Sequence, residues 1–230
     1  MMKYKNLFID LDDTLWDTFH NNKECLEELF VDYKWDQHFA SFEAFFSIYM
    51  PNNLKLWEQY RSGEINRQTL ILERFAFFLR PIGLKEKEDI LKINGDFLRL
   101  TGTKTKLIDG AIDLLEYLHP HYNLYILSNG FRELQNSKLG NSGLGKYIKK
   151  SILSEDAGIQ KPHKEIFDFA LKNTNSRRTE SLMIGDSMEA DIKGAHNAKI
   201  DQIWFNPKME ESSLKPTFTV TTLSEIKKIL

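Results

Sequence analysis

Leu7-Phe8-Ile9-Asp10-Leu11-Asp12-Asp13-Thr14 decides how the rest of the chain is read. A short apolar run that ends in acid suits a parallel strand buried on both faces, with its carboxyl end turned toward a site. If extended geometry continues past Ile9, the Asp10 and Asp12 side chains point the same way. Acids two apart occur in many loops, and a turn leaving a strand favours residues such as Asp13 and Thr14 for structural reasons alone. The strand-end position is what makes Asp10 and Asp12 candidates for chemistry.

Outward from this stretch the texture changes twice. Between about residues 18 and 100, Leu26, Leu29, Phe30 and Tyr33 fall on one helical stripe, as do Ile71, Phe75, Phe78, Leu79 and Ile82. Pro51, Gly63, Pro81 and Gly83 are expected to divide this region into four or five helices. Its aromatics, including Phe42, Phe45, Phe46 and Trp57, read first as the core of a small helical bundle. Past Thr101-Gly102-Thr103, strand and helix patterns alternate. Strands are expected at 124–127, 151–154, 181–184 and 202–205, with an edge strand at 217–221. Helices are expected at 111–118, 165–172 and 191–198, and Thr222-Leu223-Ser224-Glu225 has the capping-box spacing that starts another. Such alternation implies βαβ units, hence an α/β fold: a Rossmann-like parallel sheet with helices on both faces. The helical block is then an all-α insertion after the first strand. The expected division is a core of residues 1–15 and 104–230 and a helical domain of residues 16–103.

Ligands of such sheets bind beyond the carboxyl ends of the strands, where three further motifs lie. Ser128-Asn129 closes one strand, and the Ser128 hydroxyl and Asn129 backbone N–H can donate to an anion's oxygens. Lys161 precedes Pro162, which is placed to open a helix at its first position; alone, such a lysine is a surface residue. Asp186 follows Leu182-Met183-Ile184-Gly185, whose glycine suits a tight backbone turn, and Asp191 comes five residues later. Taken alone, Asp191 is an ordinary first-turn acid of a helix. Acidic oxygen ligands without Cys or His partners suit Mg²⁺.

DxDxT, Ser-Asn, Lys-Pro and GDSxxxD in this order resemble the haloacid dehalogenase superfamily, specifically its phosphatases with a helical cap inserted after the first motif. The resemblance implies that Asp10 attacks phosphorus to form an aspartyl-phosphate. Asp12 would protonate the leaving oxygen and later deprotonate the hydrolytic water. Lys161 would pair with both nucleophile and phosphate, beside the phosphate donors Ser128 and Asn129. Mg²⁺ would be held by the Asp10 carboxylate, the Asp12 backbone carbonyl and the Asp186 carboxylate, with Asp191 orienting this shell. To act first as an acid, Asp12 is expected to have a raised pKa. Asp12 also argues against a dehalogenase or phosphonate-cleaving relative, which lack an acid there; a phosphomutase shares every core motif.

Leu15-Trp16-Asp17, Leu127-Ser128-Asn129-Gly130-Phe131 and Ile203-Trp204-Phe205-Asn206-Pro207 narrow the similarity to bacterial pyrimidine 5′-nucleotidases. A nucleoside 5′-monophosphate, pyrimidine or modified, is therefore the expected substrate, with Trp16 or aromatics of the helical domain stacking on the base. A sugar phosphate or phosphoglycolate is the alternative. From another class, a regulatory module that accepts phosphate without turnover would be shorter and would lack an acid placed like Asp12.

Bulk properties agree. A chain of 230 residues, 41% hydrophobic and 28% charged, is ordinary for a globular protein. A net charge of -2 gives no electrostatic case for binding a nucleic-acid polymer. Cys25, the only cysteine, excludes an intramolecular disulfide or a cysteine metal cluster and reads as a packed thiol. The six histidines have no triad-like partner, and only His20 is placed to touch substrate. Met1-Met2-Lys3-Tyr4-Lys5 does not begin a signal peptide, and no segment has the length of a membrane span, so a cytoplasmic monomer or small homo-oligomer is expected.

Overall fold

The structure, a computed structural model, describes residues 3–230; residues 1 and 2, where the expected core begins, lie outside them. The chain forms two compact units: the N-terminal segment through Thr18 together with Thr105–Leu230, and Phe19–Lys104. The strands are β1 (Asn6–Ile9), β2 (Asn123–Ser128), β3 (Lys150–Leu153), β4 (Ser181–Gly185), β5 (Asp201–Phe205) and β6 (Phe218–Val220). The helices are α1 (Thr18–Asp32), α2 (Phe42–Ser62), α3 (Arg67–Leu79), α4 (Lys87–Thr103), α5 (Ala111–Leu118), α6 (Arg132–Asn141), the single turn α7 (Ser154–Ala157), α8 (Lys164–Thr174) and the short α9 (Gly194–Asn197).

The six strands form one sheet in the order β3-β2-β1-β4-β5-β6, every pair parallel. Alternation along each strand sends successive side chains to opposite faces. Leu7, Ile9, Leu124, Ile126, Leu182 and Ile184 pack with Leu114, Leu115 and Leu118 of α5. Phe8, Tyr125, Leu127, Ile152 and Met183 pack with Ile166, Phe167 and Ala170 of α8. Both faces are covered, which is why the strands read as nearly unbroken apolar runs. Ile9 pairs with Ile126 on one side and Ile184 on the other, so β1, β2 and β4 end at a common level. At β1 the order switches from strands on one side to strands on the other, the place where sheets of this kind bind ligands beyond the carboxyl ends.

In the α/β unit, two local expectations change. The stretch expected as a plain helix at 191–198 is a π-helical turn, Met188–Lys193, running into α9, with both Asp191 N–H and Ile192 N–H donating to the Ser187 carbonyl. At the C-terminus a 3₁₀ helix, Leu223–Lys228, replaces the expected capping-box helix; the Glu225 carboxylate accepts from the Thr221 N–H and hydroxyl, leaving Thr222 without a capping bond.

The second unit contains a mainly aromatic core in which Trp35, Phe45, Tyr49, Phe75, Phe78 and Phe97 meet, with ring centroids as close as 5.0 Å. Pro51 does not end a helix, contrary to expectation. α2 runs through it for 21 residues, from the Ser41 cap, whose hydroxyl accepts from Ala44 N–H, to Gly63 at φ 79°. Proline removes one donor from the ladder, but Phe45, Tyr49, Asn53 and Leu56 are buried on both sides of it, and that burial outweighs the lost bond. α3 starts where Asn66 Oδ1 accepts from Thr69 N–H.

Arg74 of α3 breaks the apolar pattern. It is 3% exposed, and neither its Nε nor one terminal nitrogen has a hydrogen-bond partner among the described residues. Its Cζ lies 5.7 Å from the Trp57 ring and 5.5 Å from that of Phe97. A desolvated cation–π contact contributes about 2 kcal/mol, while each unsatisfied buried donor costs about 1–3 kcal/mol before the charge itself is counted. The rings soften the burial of Arg74 without offsetting it.

None of the described helices is long and apolar enough to cross a membrane. Cys25 is fully buried, and burial pushes its thiol up to about 11 despite the opposing Thr101 hydrogen bond. Because the thiolate is the reactive form, a disulfide reagent at pH 8 is expected to label the native protein only at the rate of local opening, with full labelling in denaturant. Stopped-flow thiol titration measures both.

Candidate active site

Asp10 is the first residue past β1, and its backbone N–H still donates to Ile184 O at 2.9 Å, so strand geometry fixes where its carboxylate stands. Beyond it the chain reverses. Asp13 adopts φ 58°, a left-handed conformation that Asp tolerates better than most residues, and its N–H donates to Trp16 O. Thr18 ties the turn together: its N–H donates to Asp13 Oδ1, its hydroxyl oxygen accepts from Asp13 N–H, and its hydroxyl donates to Asp12 Oδ1 at 3.0 Å.

Lys161 is the hub. The side chain is buried, and its Nζ donates to Asp10 Oδ1 at 2.6 Å, Asp191 Oδ1 at 2.6 Å and Leu127 O at 2.7 Å. All three ammonium donors are thereby engaged. Burial disfavours the charged ammonium, but the two carboxylates outweigh it and raise the Lys161 pKa. The Lys161-Pro162 peptide is cis, and α8 begins at Lys164 behind His163, so Pro162 does not hold the expected first helical position. Asn129 holds the Lys161 backbone: Oδ1 accepts from Lys161 N–H at 2.8 Å and Nδ2 donates to Lys161 O at 2.9 Å.

Asp186 is fixed by a residue first read as part of a turn. The Thr14 hydroxyl donates to Asp186 Oδ1 at 3.0 Å and accepts from Asp186 N–H at 3.1 Å, while Trp204 Nε1 donates to Asp186 O at 2.8 Å. Asp191 Oδ2 accepts from Ser187 N–H. Gly185 serves this contact by its missing side chain rather than by a special turn: a Cβ there would stand 2.3 Å from Asp191 Oδ2.

Asp10, Asp186 and Asp191 each bring a carboxylate oxygen within 4.8 Å of the others. Burial pushes Asp10 well up; Lys161 draws it down, while the Asp191, Asp186 and Asp12 charges push it up again. Burial, with the Asp191 and Asp13 charges, pushes Asp186 up to about 7 against the Thr14 bond and Lys161. One ammonium facing three carboxylates leaves the cluster short of positive charge. An all-oxygen donor set with that deficit fits a hard divalent cation.

Sequence reasoning missed α6. Gln135 and Lys138 lie one turn apart on it and both reach Asp12. Gln135 Nε2 donates to Asp12 Oδ2 at 2.6 Å and to Ser128 Oγ at 2.7 Å, and Lys138 Nζ pairs with Asp12 Oδ1. Burial alone would raise Asp12, but the Lys138 charge and the hydrogen bonds from Lys138, Gln135 and Thr18 outweigh it and lower its pKa. The raised value expected for a resting general acid is therefore corrected. Ser128 Oγ accepts from Gly130 N–H and Gln135, so its own proton is left for another acceptor. Gly130 makes room for Gln135, whose Nε2 would be 2.1 Å from a Cβ there. Only the i, i+3 spacing of Gln135 and Lys138 after Ser128-Asn129 signalled this pair, and polar residues on a helix carry no signal of their own.

Trp16 does not offer a free face. It is fully buried in the core cluster, with the Lys138 ammonium 4.1 Å from its ring centroid. His20 is exposed on α1.

The family described as haloacid dehalogenase-like hydrolase matches residues 4–199. YfnB of Bacillus subtilis is 33% identical, with 100% of this chain and 97% of that one covered. YjjG of Escherichia coli K12, named a pyrimidine 5′-nucleotidase, is 33% identical with 100% and 99% covered. PynA of Streptococcus pneumoniae, which carries the same description, is 31% identical with 98% and 94% covered. A crystal structure of YfnB bound to magnesium matches the fold with a TM-score of 0.89 at 32% identity over 99% of each chain.

Lys161→Met would leave Asp10 and Asp191 buried without their shared cation. Urea denaturation at pH 7 is expected to show a loss of about 3–5 kcal/mol. Gly185→Ala should cost about 1–3 kcal/mol by overpacking against Asp191.

Proposed function

The chain belongs to the haloacid dehalogenase-like hydrolase family, and on that premise we propose that it is a Mg²⁺-dependent phosphomonoester hydrolase working through an aspartyl-phosphate, with pyrimidine or modified nucleoside 5′-monophosphates as substrates. The observation that carries this reading is the Lys161 ammonium held 2.6 Å from both Asp10 and Asp191 at the strand ends. The nucleotide preference is supported by the likeness to YjjG and PynA along nearly their whole lengths.

Asp10 is the nucleophile. Its carboxylate oxygen bonds to phosphorus as the ester oxygen leaves, so a difficult displacement is divided into two easier ones. Lys161 lowers the repulsion between this carboxylate and the incoming phosphate, and it contacts a phosphate oxygen by exchanging one of its three present acceptors. Ser128 donates its remaining hydroxyl proton, and Asn129 its backbone N–H, to phosphate oxygens. Asp12 exchanges the protons. In the free enzyme Lys138 holds it as a carboxylate; a phosphate dianion brought beside it opposes that cation and favours protonation. Protonated Asp12 gives its proton to the leaving alkoxide, and the regenerated carboxylate then takes a proton from the water that attacks the aspartyl-phosphate.

The Asp10 and Asp186 carboxylates and the Asp12 backbone carbonyl would hold Mg²⁺, with Asp191 fixed by Lys161 and Ser187 to orient them. When bound, the ion supplies the positive charge that the acidic cluster lacks. The magnesium-bound crystal structure of YfnB supports the choice of ion.

Turnover of p-nitrophenyl phosphate is expected with Mg²⁺ and expected to vanish with a chelator. Asp10→Asn should abolish it while leaving the circular-dichroism spectrum intact. Asp12→Asn should lower kcat/KM on a nucleotide by about a hundred- to ten-thousandfold. Steady-state rates across nucleotides, sugar phosphates and phosphoglycolate test the substrate; a clear preference for the latter two rejects the nucleotidase reading.

A further inference from the structure

Asp12 lies in the turn after β1, outside the strand ladder. The sheet therefore does not fix its carboxylate, although proton transfer demands placement within about 2.6–3.2 Å of the accepting atom. Its two oxygens are held differently. Oδ1 accepts from the Thr18 hydroxyl at 3.0 Å and pairs with Lys138 Nζ. Oδ2 accepts, among the described residues, from Gln135 Nε2 alone, at 2.6 Å. The Asp12 side chain is 28% exposed and that of Lys138 5%, while Gln135 is fully buried. The carboxylate is thus gripped from its buried side and stays reachable from the other.

Packing does not account for Gln135. Its amide nitrogen has two protons and both are engaged, one by Asp12 Oδ2 and one by Ser128 Oγ at 2.7 Å. Its Oε1 is buried and accepts no hydrogen bond among the described residues. An acceptor left unsatisfied in this way is unfavourable, and an apolar side chain of the same length would fill the space without it. What only the amide supplies is the pair of donors. Ser128 is the fixed end of the bridge they make. It closes β2, pairs in register with Leu153 of β3, and its Oγ also accepts from Gly130 N–H at 3.0 Å. Gln135 therefore carries position from a strand end to a turn residue, and every residue involved belongs to the α/β unit.

We propose that Gln135 is a positioning residue of the reaction, setting Asp12 Oδ2 at the departing ester oxygen by bracing it against Ser128 Oγ. Oδ1, engaged by Thr18 and Lys138, stays back, and Oδ2 carries the proton. As an Asp10 oxygen bonds to phosphorus, the ester P–O bond breaks and its electron pair stays with the leaving oxygen. That oxygen takes the proton from Asp12 Oδ2, which is left as a carboxylate. An anion as stable as p-nitrophenolate departs without this proton, whereas the 5′-oxygen of a sugar needs it. Loss of the brace therefore weighs on alkyl esters far more than on the aryl ester. This assignment deepens the phosphatase reading above and rests on it, but not on the identity of the base.

Gln135→Met keeps the length of the side chain but has no donor. It is compared with wild type on p-nitrophenyl phosphate and on an alkyl ester, uridine 5′-monophosphate or ribose 5-phosphate, whichever the wild type cleaves faster. The ratio of kcat/KM for the alkyl ester over that for the aryl ester is expected to fall about tenfold. Any loosening of the phosphate through Ser128 falls on both esters and cancels in the ratio. Gln135→Asn keeps the amide but is one methylene too short to span both partners, so it should lower the ratio as well. In an Asp12→Asn background, Gln135→Met should change the ratio by less than about twofold, since no carrier is left to place. Equal effects on both esters, a ratio that moves as far without Asp12 as with it, or two variants that both lose the folded circular-dichroism spectrum overturn the assignment and make Gln135 a packing residue. A wild-type protein that cleaves only the aryl ester overturns it too, because no leaving oxygen then needs the proton. One that cleaves none of these esters with Mg²⁺ overturns the phosphatase reading itself, before any variant is made.

Discussion

A single ammonium group organises the α/β unit's site. Lys161 Nζ joins Asp10 from β1, Asp191 from the turn after β4 and the Leu127 carbonyl of β2, so one atom ties together three segments far apart in the chain. Its position is in turn set by the two Asn129 bonds to its backbone. A buried ion pair is weak evidence for stability, because desolvating the charges consumes most of the attraction. Here the arrangement makes better sense as preorganisation: on the proposed reading, the positive charge already stands beside the attacking carboxylate before any phosphate arrives.

The sheet makes this convergence possible. Parallel register brings β1, β2 and β4 to the same level, so residues after Ile9, at Ser128 and after Gly185 emerge as neighbours. Close approach does the rest. Gly185 and Gly130 each sit where a Cβ would collide with a site side chain, Asp191 in one case and Gln135 in the other. The glycines are there for volume, since neither has a left-handed backbone.

The architecture was legible because its signals are periodic. Apolar runs placed the six strands, and helical patterns placed α5 and α8, within a residue or two, and the motifs' Asp10, Asp191 and Lys161 meet beyond the strand ends. Local stereochemistry was legible only in part. Pro51 reads as a breaker, yet the burial of Phe45, Tyr49 and Leu56 carries α2 through it. The Thr222 pattern reads as a capping box, yet Glu225 turns to Thr221. Supporting contacts were hardest to see. Thr14 and Asp186 are 172 positions apart, and Gln135 and Asp12 are 123 apart; no local periodicity encodes such pairs. The sign of the Asp12 shift escaped for the same reason, since it depends on Lys138.

Helix α6 has a consequence of a mechanical kind. Gln135 grips Asp12 and Ser128 through the same amide nitrogen, and Lys138 reaches Asp12 from the next turn. A small rotation of that helix about its axis would displace the Asp12 carboxylate and the Ser128 hydroxyl in concert. The two are geared rather than independently adjustable. Sequence drift on the outer face of α6 can therefore retune both at once without altering Asp12 or Ser128 themselves.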